Sequence, residues 1–215
     1  MKFSLSDSFR NFFLKNGLLE IEDILSQEEA DTLLQLISEK APSTLYPELQ
    51  AAGKDLWKIN DEVKKLLIKS RIGEIAGFLF KKRPIRLAFT QTFIPRTSQS
   101  LSFTENYSIE DISSVDPVLG GVFICLNNSE ETISQELPDF KNQTKGSAIF
   151  FSAKYPIPFK DLILQQGLQG ILVCFSPVKI RYKLQPLDKT THFLKKLGYT
   201  FGDLIEEKDA PFLYH

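Results

Sequence analysis

The first third of the chain carries apolar residues at helical spacing. Ser6 stands as an N-cap ahead of Phe9, Phe12 and Phe13, and Gly17 marks the stop of that helix. The segment LLEIEDILS then reads as a short strand leading to a capping box, with Ser26 at the N-cap and Glu29 three residues on. The helix so started sets Ala30, Leu33, Leu34 and Ile37 on one face and ends before Pro42. A loop around Pro42 and Pro47 follows. From Asn60 a further helical stretch places Val63, Leu66 and Leu67, then Ile72, Ile75, Ala76 and Leu79, on its inward side.

After Pro84 the apolar period changes to that of strands separated by turn signals. The segments 85–94, 121–127, 147–153, 171–176 and 178–184 read as strands, and THFLKKLG near the C-terminus reads as a short helix followed by an extended tail. The fold class expected is α+β: a mainly helical layer over 1–84 packed on one sheet of an antiparallel jelly roll over 85–186, closed by a helix and tail over 187–215.

Composition adds bounds. A chain of 215 residues without a linker-like stretch forms one domain, spanning 1–215. At this length a chain buries roughly 70% of its unfolded surface, so no disulfide or metal staple is needed. The net charge of −1 provides no global field for nucleic acid or anionic lipid. The run KKRPIR at 81–86, with Lys64, Lys65, Lys69 and Arg71 upstream, reads as a solvated face. It lacks the interleaved aromatics of a single-strand binder. Cys125 and Cys174 sit in the apolar runs GGVFICL and ILVCFS and read as buried, unbridged core thiols. The N-terminal segment has no apolar core of signal-peptide type, and no run is long enough to span a bilayer. A cytoplasmic, reducing setting without membrane attachment is the expectation.

The common catalytic motifs are missing. There is no G-x-S-x-G, no phosphate-cradling glycine loop, no dinucleotide fingerprint and no H-E-x-x-H. The two histidines, His192 and His215, both lie near the C-terminus, too far along to build a histidine-based metal site in the core. The acidic clusters at Glu20 to Asp23 and at Glu130 and Glu131 read as strand ends and a turn.

Two segments carry a resemblance. The opening FFLKNGLLEIEDILSQEEADTLLQLI is similar to the entry of phytanoyl-CoA dioxygenase-like proteins, and the end LGYTFGDLIEEKDAPFLYH looks like their closing segment. That family belongs to the Fe(II)/2-oxoglutarate oxygenases, and the resemblance implies a double-stranded β-helix with helices on one sheet. In the family an H-x-D motif supplies two iron ligands; the corresponding register here falls on Phe103, Thr104 and Glu105. The distal histidine follows a glycine and apolar run, matched by GSAIFFSAKYPIP, which brings Ile157 or its neighbour Pro156 to the ligand position. The arginine that would pair with 2-oxoglutarate falls near Gln169.

Carried over position by position, the resemblance implies a fold that has lost its iron and co-substrate ligands and therefore has no cofactor. Phenylalanine and isoleucine have no lone pair for a metal, and an amide cannot form the bidentate ionic clamp of an arginine. The expected activity is binding of a small molecule or a protein segment, with Gln91, Thr104, Tyr155 and Arg181 around the pocket and nucleic acid an improbable partner. The rivals are an enzyme with a carboxylate-based metal site at Glu105 and a regulator acting through its surface.

Overall fold

The computed structural model describes residues 6–38, 46–94, 105–128, 143–159 and 167–215. The first helix, α1 (Asp7–Asn16), stops at Gly17, whose φ of 72° places it in the left-handed region that glycine enters without a Cβ clash. β1 (Leu18–Ile21) leads to α2 (Gln27–Ser38). The capping box ahead of α2 is formed in both directions: Glu29 N–H donates to Ser26 Oγ (3.1 Å) and Ser26 N–H to Glu29 Oε2 (2.8 Å).

Pro42 lies outside the described residues. Pro47, expected in a loop, instead opens α3 (Pro47–Ala52), where its missing N–H is one that a first helical turn leaves unbonded anyway. The stretch from Asn60 divides into α4 (Asp61–Lys69) and α5 (Ile72–Phe80). Asn60 caps α4 through its side-chain oxygen, while Ser70 turns to extended backbone and donates its hydroxyl to Leu67 O (2.6 Å). The two helices then pack separately on the sheet.

Six strands form one antiparallel sheet in the order β1-β5-β4-β6-β2-β8, with β2 Ile85–Phe93, β4 Gly120–Asn128, β5 Ala148–Ser152, β6 Leu168–Ser176 and β8 Phe212–Tyr214. Between them lie α6 (Ile109–Ile112) and β3 (Val115–Asp116), which pairs with β7 (Arg181–Tyr182); α7 (Phe193–Lys196) precedes β8. The expected strand over 178–184 thus shrinks to two residues. Its partner β3 runs into Pro117, which has no N–H to extend the ladder.

The architecture is mixed helix and sheet, with a curled antiparallel half-barrel. One face of the sheet presents Leu87, Val122, Ile124, Phe150, Val173 and Phe175 to the helices, which contribute Phe13, Leu33, Val63, Leu67, Ile75 and Leu79. The opposite, concave face presents Phe89, Phe93, Phe123, Phe151, Leu172 and Cys174. This alternation is the two-residue period of a strand buried on both sides.

The outer edge of β2 is sealed twice. β8 pairs with Ile85 and Arg86, and further along Asp55 N–H donates to Thr90 O (3.0 Å) and Thr92 N–H to Gly53 O (2.9 Å). The tail is therefore an added strand. It lies against α5 at Gly73, where a Cβ would come within 2.7 Å of Leu213 O.

Candidate functional site

The two segments that the family register assigns to iron ligands meet in space. Tyr107 N–H donates to Ile157 O (3.2 Å) and Ile157 N–H to Tyr107 O (2.9 Å), an isolated antiparallel bridge. Ile157 is 1% exposed and packs in the concave-face cluster with Phe93, Phe123 and Phe159. The rings fill that face: Phe93 stands edge-on to Phe123 (centroids 5.8 Å) and stacks on Phe159 (6.0 Å). Phe103 and Thr104 lie outside the described residues, and Glu105 is exposed.

The other sequence candidates scatter. Gln169 is half-buried on β6, and strand alternation sets it opposite Leu168, on the helix-facing side rather than the concave one. Gln91 is buried, and its amide donates to Ala52 O (2.9 Å), holding the segment that seals β2. Tyr155 is half-buried with its ring 5.6 Å from that of Phe151. Arg181 is exposed and donates to Gly202 O (2.7 Å). His192 and His215 are both exposed, beside Phe201 and Phe212.

A buried ionic cluster, invisible to the sequence reading, closes one end of the concave face. Lys54 Nζ contacts Asp188 Oδ2 (2.5 Å) and lies 4.7 Å from the centre of the Phe89 ring. Asp188 also accepts from Ser114 Oγ (2.5 Å), Thr190 N–H (2.9 Å) and Thr190 Oγ1 (2.8 Å). Burial by itself would raise the Asp188 carboxyl, but the Lys54 charge and the donated hydrogen bonds outweigh it and hold the pKa below the usual value.

Next to this pair, Asp55 has φ 49° and accepts from Thr90 N–H (2.8 Å) and Trp57 Nε1 (3.2 Å). Burial pushes its pKa up. Lys58 donates to Asp209 O (2.7 Å), and burial pulls its pKa down. These groups line a cavity of about 30 Å³, room for ordered water and far below a small-molecule site of roughly 300 Å³ or more. The signal that could have found the cluster is the run GKDLWK, whose charges flank apolar positions, but its partner Asp188 lies 134 residues away.

Lys65, Lys69, Arg71, Lys81, Lys82 and Arg83 are exposed, as expected of a solvated face, and Arg86 is the exception. Arg86 is 4% exposed and donates to Ala210 O (2.6 Å), Val178 O (2.8 Å), Ile205 O (3.1 Å) and Glu206 O (2.6 Å). It is a structural clamp on the C-terminal segment and adds no charge to the surface. Among the described residues no helix is long and apolar enough to cross a membrane.

No protein-family model and no curated protein matches the chain. Solved structures do. The chain is similar to the non-heme α-ketoglutarate-dependent epimerase SnoN from nogalamycin biosynthesis, with TM-score 0.64 and 12% identity, covering 96% of this chain and 98% of that one. It is similar to the carbocyclase SnoK from the same biosynthesis, with TM-score 0.61 and 15% identity, covering 97% and 96%. CytC3 with Fe(II) and α-ketoglutarate matches at TM-score 0.52 and 12% identity, covering 85% and 81%.

CytC3 was solved with Fe(II) and α-ketoglutarate, and the side chains of this chain can be compared with the needs of such a site. Among the described residues no group of three or more His, Cys, Asp or Glu side chains is arranged to hold a metal. Ile157 carries no donor, Glu105 points to solvent, and Gln169 lies on the other side of the sheet. At these identities the likeness is one of fold: the chain folds like the Fe/2-oxoglutarate-dependent oxygenases.

Proposed function

We propose that this chain is a phytanoyl-CoA dioxygenase-like jelly roll that has lost its iron chemistry and acts as a binding or regulatory module. The observation that carries the reading is Ile157, an apolar side chain that is 1% exposed and packed among phenylalanines at the register of the family's distal ligand. The absence of any histidine before His192 supports it, since neutral imidazole is the usual nitrogen donor for such a metal. Filling of the concave face by Phe93, Phe123 and Phe159 favours binding elsewhere than at the former iron site.

The test is metal analysis of the purified protein with a thermal-shift titration against Fe(II), Mn(II), Zn(II) and 2-oxoglutarate, singly and together. A ligand raises the melting temperature only by binding the folded state. No joint shift is expected. A saturable shift with Fe(II) and 2-oxoglutarate together, abolished by Glu105→Ala, would overturn the reading in favour of a carboxylate-based enzyme.

A further inference from the structure

Lys58 faces two spaces at once. On one side it lines the small inner cavity; on the other it forms part of a surface groove of about 360 Å³, walled by Tyr46, Trp57, Lys64, Lys208 and Leu197. That volume falls in the range of small-molecule sites.

The side chain of Lys58 is 7% exposed and its ammonium donors are under-used. An ammonium has three N–H groups. Among the described residues one donates to Asp209 O at 2.7 Å, whereas the nearest carboxylate oxygen, Asp209 Oδ1, stands 3.7 Å away, beyond hydrogen-bond length. The other Asp209 oxygen accepts from the Tyr199 hydroxyl (2.7 Å). A further share of the charge rests on the Trp57 ring, 4.2 Å from Nζ.

We propose that this groove is a binding site for a small organic carboxylate with a compact apolar body, its carboxylate meeting Lys58. Lys64, 5.8 Å from the Trp57 ring, supplies a second positive charge on the same side. Tyr46 and Leu197, both half-buried, offer the apolar wall. Lys208 already meets Glu206 at 2.9 Å, so Lys58 and Lys64 are the cations that face the ligand. Burial without full pairing lowers the Lys58 pKa, and an incoming carboxylate would restore the lost stabilisation of its charge.

This inference rests on the binding reading above and gives it a site. Its test is separate from the metal titration, because Trp57 is the single tryptophan of the chain and lines the groove, so its fluorescence can follow a ligand there. The full-length protein is titrated with cyclohexanecarboxylate, with cyclohexylmethanol and with inorganic phosphate. A saturable change is expected with the carboxylate and none with the alcohol.

Lys58→Met should weaken the carboxylate by about tenfold or more, the size of a lost charge-assisted hydrogen bond. Asp61→Asn, which removes a like charge from the rim, should tighten it, an outcome misfolding cannot imitate. The proposal is overturned by equal responses to carboxylate and alcohol, by no saturable response, or by an Asp61→Asn variant that binds no more tightly. A response to phosphate that matches the carboxylate would also overturn it, since the apolar wall would then contribute nothing.

Discussion

Lys54 and Asp188, 134 residues apart, form a buried ion pair that ties the turn after α3 to the segment before α7. Removing one partner of such a pair leaves the other charge buried and uncompensated, so Asp188→Ala should destabilise the protein by about 3–5 kcal/mol. Urea unfolding followed by circular dichroism measures this.

The same carboxylate sets a pH dependence. The pKa of Asp188 is held down in the folded protein, so its contribution is fully present above the ordinary aspartate value of about 4 and is lost as pH falls through the lower folded value. Asp55 is shifted the other way, and its contribution is present at low pH and lost as pH rises through its raised value. Asp188→Asn should therefore flatten the loss of stability below about pH 4, whereas Asp55→Asn should remove the stability that the wild type gains as pH falls toward about 4 from above. Denaturant midpoints measured from pH 2.5 to 7 would decide, and an unchanged slope in Asp188→Asn would refute the assignment.

Arg86 joins three carbonyl groups of the C-terminal segment, and that of Val178 just after β6, to β2. Arg86→Met keeps much of the bulk but strands those acceptors, each charge-assisted hydrogen bond being worth about 1.5–3 kcal/mol. A loss of about 3 kcal/mol or more is expected, with amide exchange accelerating first in Phe212–Tyr214. Wild-type stability would mean that water replaces the guanidinium.

The two thiols should be inert in the native state. Burial raises the Cys125 pKa to about 12 and that of Cys174 well above its ordinary value, and both thiols are free. The thiolate is the reactive form, so labelling with a thiol reagent at neutral pH should await unfolding. Stoichiometric labelling without denaturant would contradict the packing.

Close approach predicts a further effect at Gly170. A Cβ there would stand 2.3 Å from Phe123 Cζ and 2.7 Å from Ile124 O. Gly170→Ala must displace the Phe123 ring or part β4 from β6, and over-packing of this kind costs about 1–3 kcal/mol. A melting temperature at or above that of the wild type would show that the ring can move freely.

What the sequence determined by itself was local. Ser26 with Glu29, Asn60 ahead of Val63, Gly17, and the unbroken apolar runs of β2, β4 and β6 each state their element through contacts a few residues apart, and the structure forms them there. The absence of histidine before His192 was legible in the same way, whatever the fold. Only the tertiary structure decided the rest. That Gln169 turns toward the helices depends on the register of β6, and a one-residue shift would reverse it. Lys54, Arg86 and Asp188 look like ordinary surface charges in sequence; burial makes them structural, because partners 100 residues and more away satisfy them. The groove at Lys58 has the same origin, arising where α4, the 3-10 turn at Leu56–Lys58 and the C-terminal segment are brought side by side. Local periodicity carries no information about such long-range pairing, and in this protein it is the long-range pairing that creates the site.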